Sequence, residues 1–222
     1  MLPLPALPAI GATLGVAEAN DRQFVITSFL LGFAIAQLAH GPLHGVSIEA
    51  EGDAAALNQK PITGAVLAGL MRAYTDTVNM VNAPFLAKER GLDVREVRHD
   101  REGDYHTLLR VTVRTRDGER SVAGTLFGDN KPRLVELFGI QVEADLAGHM
   151  LYVVNADQPG FIGRLGSLLG EKGVNIGTFH LGRREAGGEA ILLLSVDGEM
   201  DKAFLDTVRA LPGVKTAMAL EF

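Results

Sequence analysis

The stretch from His149 to Arg184 (HMLYVVNADQPGFIGRLGSLLGEKGVNIGTFHLGRR) permits few folds, because its hydrophobic period changes twice within a short span. Met150 to Val154 is an apolar run rich in β-formers, which the turn formers of Asn155 to Gly160 then break. From there Phe161, Leu165, Leu168 and Leu169 fall at the spacing of one helical face. Gly173 supplies a left-handed stop, and Val174 to Leu181 reads as a second strand. The turn leaves backbone N–H groups at a helix start, beside the carboxylate of Asp157 and near the carboxamide of Asn175. A free amino acid carries a carboxylate and an ammonium, and these are groups that receive them.

The pattern continues with a strand from Glu189 to Val196, a helix from Met200 to Leu211 and a closing strand from Val214 to Phe222. Gly187-Gly188 makes the turn between the middle strands, and Phe204, Val208 and Leu211 mark the buried face of the second helix. Strand, helix, strand, strand, helix, strand favours two helices on one face of a four-stranded antiparallel sheet, the ferredoxin-like βαββαβ arrangement. A module of about 70 residues has a marginal core and gains by pairing with another copy, so a homodimer or higher oligomer is expected.

Upstream the pattern is also α+β. Phe24 to Leu38 is the most apolar stretch, but it falls short of a membrane span and Thr27, Ser28 and Gln37 interrupt it. It reads as a helix buried on more than one side that ends before Gly41-Pro42. Val46, Ile48 and Ala50 alternate with polar residues in a strand, and Thr63 to Val78 forms a helix with Val66, Leu67, Leu70 and Met71 on one face. A short helix through Phe85 to Arg90 precedes strands at Val94 to His99, Thr107 to Arg114, Arg120 to Leu126 and Leu134 to Phe138. Asp117-Gly118 is a hairpin signal, and Asp129 to Pro132 a turn. Residues 1–21 hold three early prolines and no basic start, which fits a loosely ordered arm rather than a secretory signal. The expected organisation is an atypical arm over 1–21, one domain over 22–147 and a second over 148–222.

Several function classes are excluded by what the chain carries. A net charge of −6 and a pI near 5.5 argue against a nucleic-acid surface. With no cysteine there is no disulfide framework or thiolate metal site, and the cytoplasm is the expected compartment. The six histidines offer no paired ligand motif, since Gly41-Pro42 separates His40 from His44. The glycine-rich turn of a dinucleotide fold is missing, and Gly160, Gly163, Gly166 and Gly170 are spaced for close helix packing. No residue sits in a recognisable nucleophile setting. No catalytic residue, metal or cofactor is therefore assigned, and no membrane partner.

The Asp157-Gln158-Pro159-Gly160-Phe161-Ile162-Gly163 turn, with Leu168 to Ile176 after it, resembles an ACT domain, a small regulatory module of amino-acid metabolism. Asn58 to Pro61 (NQKP), Val81 to Pro84 (VNAP), Ala87 to Gly91 (AKERG), Arg120 to Thr125 (RSVAGT) and Lys131 to Leu134 (KPRL) resemble the intervening domain of long-form D-3-phosphoglycerate dehydrogenases. Together the two resemblances run from Arg22 to Phe222.

The resemblance implies the regulatory region of a serine-biosynthesis enzyme. It implies an effector, typically L-serine, held between two paired copies at the turn after the first ACT strand. Asn155 and Asp157 lie where family members contact the effector, and Asn175 matches a family asparagine. Pro159, Gly160, Phe161, Ile162 and Ile176 complete the expected niche. In it Asp157 meets the ammonium, the N–H groups of Gly160 to Ile162 meet the carboxylate, and Asn175 bridges subunits. The alternative is that Asp157 caps the helix and Asn175 is only a turn residue. For the preceding domain the resemblance implies a phosphorylated anion, with Arg133 where such a member has a basic residue. Arg120, Lys131 and, more weakly, Lys60 are named for their charge and turn position, and a solvated basic face is the alternative account of these residues. NAD, the cofactor of the parent family, has no site in these residues, so the chain is not expected to oxidise a substrate by itself. A subunit whose nucleotide-binding half is a separate chain, and an oligomerisation scaffold without a ligand, stay open beside the regulatory reading.

Overall fold

Buried polar atoms explain how the first helix tolerates its position. In the computed structural model, which describes residues 19–39, 41–99, 104–128, 131–146 and 148–222, helix α1 spans Ala19–Leu38. Its buried Thr27 and Ser28 donate their hydroxyl hydrogens to the carbonyls of Gln23 and Phe24, at 2.9 and 2.7 Å, so neither is left unsatisfied. No helix among the described residues is long and apolar enough to cross a membrane. Residues 1–18 of the expected arm, residues 129–130 of the expected turn and residue 147 at the expected boundary lie outside the described residues.

The chain divides into two compact units between residues 134 and 135. The first holds α1, β1 (Gly45–Gly52), α2 (Asp53–Ala56), α3 (Gln59–Arg72), α4 (Ala83–Glu89), β2 (Asp93–His99), β3 (Thr107–Thr115) and β4 (Gly118–Leu126). The division falls inside β5 (Pro132–Leu137), which β6 (Ile140–Ala144) follows, and the sheet order is β2-β1-β3-β4-β5-β6. Strand β1 runs parallel to β2 and antiparallel to β3. The expected alternation holds on β3, where Leu109, Val111 and Val113 are fully buried and the residues between them are half-buried.

Helix α3 departs from the sequence reading at both ends and around its circumference. It begins at Gln59, because the Asn58 side chain accepts from the Lys60 N–H at 3.2 Å and Pro61 sits in the first turn, where a missing N–H costs no helical bond. It stops at Arg72 rather than Val78. Every residue from Pro61 to Met71 is buried, not one face alone. A Cβ added to Gly69 would stand 2.2 Å from the Phe29 carbonyl oxygen, and one on Gly32 would stand 2.2 Å from that of Val66. The α1 and α3 backbones therefore touch through their glycines, which leaves bulky side chains free to fill the other sides. Two further elements, α2 and β6, were not expected from the sequence.

The second unit carries β7 (His149–Ala156), α5 (Phe161–Glu171), β8 (Ile176–Arg183), β9 (Glu189–Val196), α6 (Lys202–Arg209) and β10 (Val214–Glu221), with sheet order β10-β7-β9-β8 and antiparallel pairing throughout. Leu151, Val153, Leu192 and Leu194 of the sheet pack with Phe161, Leu165, Leu168 and Leu169 of α5 and Phe204 and Val208 of α6 in one core. This is the α+β, ferredoxin-like arrangement the element order implies. Asp201 caps α6 by accepting from the Phe204 N–H at 2.7 Å. One expectation fails: Cβ atoms on Gly163, Gly166 or Gly170 would meet nothing within 4 Å among the described residues, so these glycines serve no close packing there.

Candidate functional site

The C-terminal ends of β7 and β8 and the start of β9 lie at one end of the second sheet, since Ala156 pairs with Glu189 and Arg183 with Ala190. There the turn from Asp157 to Gly160 opens α5. Gly160 adopts a left-handed conformation (φ 84°) and supplies no side chain to cap the helix, so the first N–H groups of α5 have no side-chain acceptor from the N-cap. Asp157 does not cap the helix either. Its Oδ2 accepts from the Gly187 N–H at 3.0 Å and from Arg183 Nη1 at 2.8 Å, tying the turn to the β8–β9 loop. The Gly187 N–H first, and the Arg183 guanidinium second, hold the Asp157 carboxyl below its ordinary value. Asp157, Gln158, Pro159, Gly160, Ile162, Arg183 and Gly187 line a shallow cleft of about 450 Å³.

The remaining nominated residues divide by place. Phe161 is buried in the core and its N–H donates to the Gln158 carbonyl at 3.4 Å, so neither its side chain nor its N–H is offered to the cleft. Asn155 is also buried; its Nδ2 donates to the Ala156 carbonyl at 2.6 Å, and its Oδ1 has no hydrogen-bond partner among the described residues. Asn175 donates to Asp197 Oδ2 at 3.0 Å, at the opposite end of β8 from Arg183, and Ile176 begins that strand. Seven residue steps of strand put Asn175 and Ile176 roughly 20 Å from the cleft of their own chain. Asp157 and Asn175 therefore cannot touch one small molecule within a single copy.

The four cations named for an anion are not all gathered in one place. Lys60 is exposed in the otherwise buried first turn of α3, and Arg120 pairs with Val113. Lys131 lies across the β4–β5 turn, its carbonyl accepting from the Phe127 N–H at 3.1 Å. Arg120 and Phe127 are thus separated by nearly the full length of β4, roughly 20 Å, too far for one phosphate to bridge Arg120 and Lys131. The Arg133 guanidinium sits over the Phe127 ring at 5.8 Å.

Comparison with known proteins decides the family. Residues 22–138 match the D-3-phosphoglycerate dehydrogenase intervening domain and residues 149–213 match the ACT domain. The chain belongs to the D-3-phosphoglycerate dehydrogenase intervening-domain family. It is 34% identical over 195 residues to the D-3-phosphoglycerate dehydrogenase of Bacillus subtilis, covering 86% of this chain and 37% of that protein. The enzyme of the same name from Synechocystis is 32% identical over 226 residues, covering 100% of this chain and 41% of the relative. That of Methanocaldococcus jannaschii is 29% identical over 195 residues, with 87% and 37% covered. The chain spans about two fifths of the length of these relatives.

In the terms of that family, the chain carries the regulatory region, and the Asp157 cleft belongs to its ACT domain. The intervening domain has a different cleft, of about 200 Å³, lined by Pro42, Leu43, Met71, Tyr74, Arg90 and Leu92. None of the four nominated cations lines it; Arg90 does, with its guanidinium 4.8 Å from the Tyr74 ring centre. The residues missed in the ACT cleft are Gln158, Arg183 and Gly187. Gly187 was legible only as a turn former, and Arg183 gave no signal of its own, because its place beside Asp157 depends on the register of β8 against β9.

Proposed function

We propose that the chain is the amino-acid-sensing region of a D-3-phosphoglycerate dehydrogenase of serine biosynthesis, with L-serine as effector and a homodimer or higher oligomer as the working state. The observation that carries this reading is the cleft itself. It sets a fixed carboxylate, a guanidinium and an uncapped helix start around a space large enough for a small zwitterion. Membership of a family whose relatives are named D-3-phosphoglycerate dehydrogenase supports the enzyme class. The separation of Asn175 from Asp157 supports a site shared between copies, in which the asparagine of one chain reaches the turn of another.

A thermal-shift titration of the full chain with L-serine, glycine and other amino acids tests it. Serine at about 100 times its dissociation constant should add about 2.7 kcal/mol of stability. The Asp157→Ala variant should stay folded and lose that response. A flat response of the wild-type chain to the whole panel would reduce the region to a scaffold.

A further inference from the structure

We infer that Arg183 is the carboxylate receptor of the ACT cleft and the residue that makes it select α-amino acids over simple amines. The inference rests on the amino-acid reading above and assigns a part of recognition that the turn residues alone do not supply.

The Asp157 carboxylate is held through one of its two oxygens. Both of its bonds fall on Oδ2, from Gly187 N–H and Arg183 Nη1, and among the described residues Oδ1 accepts none. The main-chain donor fixes the carboxylate, so the pair is not a loose surface contact between two long side chains. A guanidinium carries five N–H donors in a planar fork, and the bond to Asp157 uses one of them. Both side chains line the cleft, that of Arg183 54% exposed and that of Asp157 21% exposed. Acid and base thus stand side by side, 2.8 Å apart, at the wall of one concavity.

An α-amino acid presents the same two charges on atoms two bonds apart. Laid head to tail against the pair, its ammonium meets Asp157 Oδ1 and its carboxylate meets the unused edge of the Arg183 fork, without breaking the Arg183–Asp157 bond. The uncapped N–H groups of α5 add a second donor set, but they favour any anion and do not by themselves require a neighbouring ammonium. Lysine in place of Arg183 offers a point charge and no fork, so it should recover only part of the selectivity.

Isothermal titration of the full chain with L-serine and with ethanolamine, which is serine without its carboxylate and still a cation at pH 7, reads this directly. The wild-type chain should bind serine at least about tenfold more tightly than ethanolamine. Arg183→Gln should weaken serine about tenfold or more and leave ethanolamine within about twofold, with Arg183→Lys between the two. Serine affinity unchanged in Arg183→Gln would overturn the assignment, and so would an equal loss for both ligands, which would mark Arg183 as a shaper of the cleft. If the wild-type chain binds no amino acid at all, the sensing function falls as well. If it binds serine and only the selectivity survives the substitution, Arg183 alone is displaced.

Discussion

Arg184 donates from its guanidinium to the carbonyl of Phe138 at 3.0 Å, across 46 residues of sequence. Phe138 and Gly139 form the two-residue loop between β5 and β6, and both have positive φ, 53° and 76°. That is the backbone of a type I′ hairpin turn, which suits glycine or asparagine far better than phenylalanine. The cost, about 1 kcal/mol, is met by contacts specific to Phe138. Its ring stands edge-on to Tyr152 of β7 at 6.4 Å between centres, and its carbonyl is held by Arg184. The next residue back, Arg183, faces the cleft. Consecutive side chains at the end of β8 thus reach the Asp157 cleft and the β5–β6 hairpin.

Removing that tether should loosen the hairpin. Arg184→Ala is expected to cost about 0.5 to 1 kcal/mol and to speed amide exchange over residues 132–144 while leaving α5 unchanged. Exchange-rate mass spectrometry reads both segments at once. An unaltered hairpin would mean that the Tyr152 contact alone holds the turn.

The glycines separate into two kinds, and substitution should tell them apart. Gly69→Ala places a methyl against the Phe29 backbone and should destabilise the protein by about 1 to 3 kcal/mol. Gly170→Ala, on α5, meets nothing within 4 Å and should raise stability by up to about 1 kcal/mol through helix propensity. Denaturant melts of the two variants give the comparison. A destabilised Gly170→Ala chain would show that the exposed glycines of α5 are covered by another copy.

How much of this was legible in the sequence depended on what each element is buried against. Helix α5 was legible because Phe161, Leu165, Leu168 and Leu169 face a single core and the other side, Ile162 apart, is polar or small. Helix α3 was misjudged because burial on all sides erases that contrast, and its small residues carry the contact with α1. Strand β6 alternates Ile140, Val142 and Ala144 with exposed polar residues, yet it is short and follows a turn whose type I′ geometry Phe138 disguises. Asp157 could be named from its turn, whereas Arg183 could not, because cross-strand register fixes the neighbour and no local pattern encodes it.

The carboxyl of Asp157 makes part of the stability depend on pH. Its value is lowered from the ordinary 3.8 by the Gly187 N–H and then by Arg183. A lowered carboxyl contributes stability that is fully present above the unfolded value and is lost as pH falls through the folded value. Wild type and Asp157→Asn should therefore differ in melting temperature at neutral pH, begin to approach each other as the pH drops below 3.8, and converge only once it has fallen through the lowered folded value. Melts of both proteins from neutral to acid pH test the sign. A gap that stays constant throughout would assign the effect to the shape of the side chain rather than to its charge.

If serine binds between copies, Asp157 and Asn175 belong to one site only across the interface, because about 20 Å of β8 separates them within a chain. Asp157→Ala and Asn175→Ala should each abolish the serine response when prepared alone. Mixed and allowed to exchange subunits, they should recover it in part. A two-fold dimer carrying one copy of each variant has one site with both residues intact and one with both missing. With random exchange half of the dimers are mixed, so about a quarter of all sites return. Calorimetric stoichiometry after mixing gives that fraction. No recovery after demonstrated exchange would confine the site to one chain, and Asn175 would then act only through its bond to Asp197.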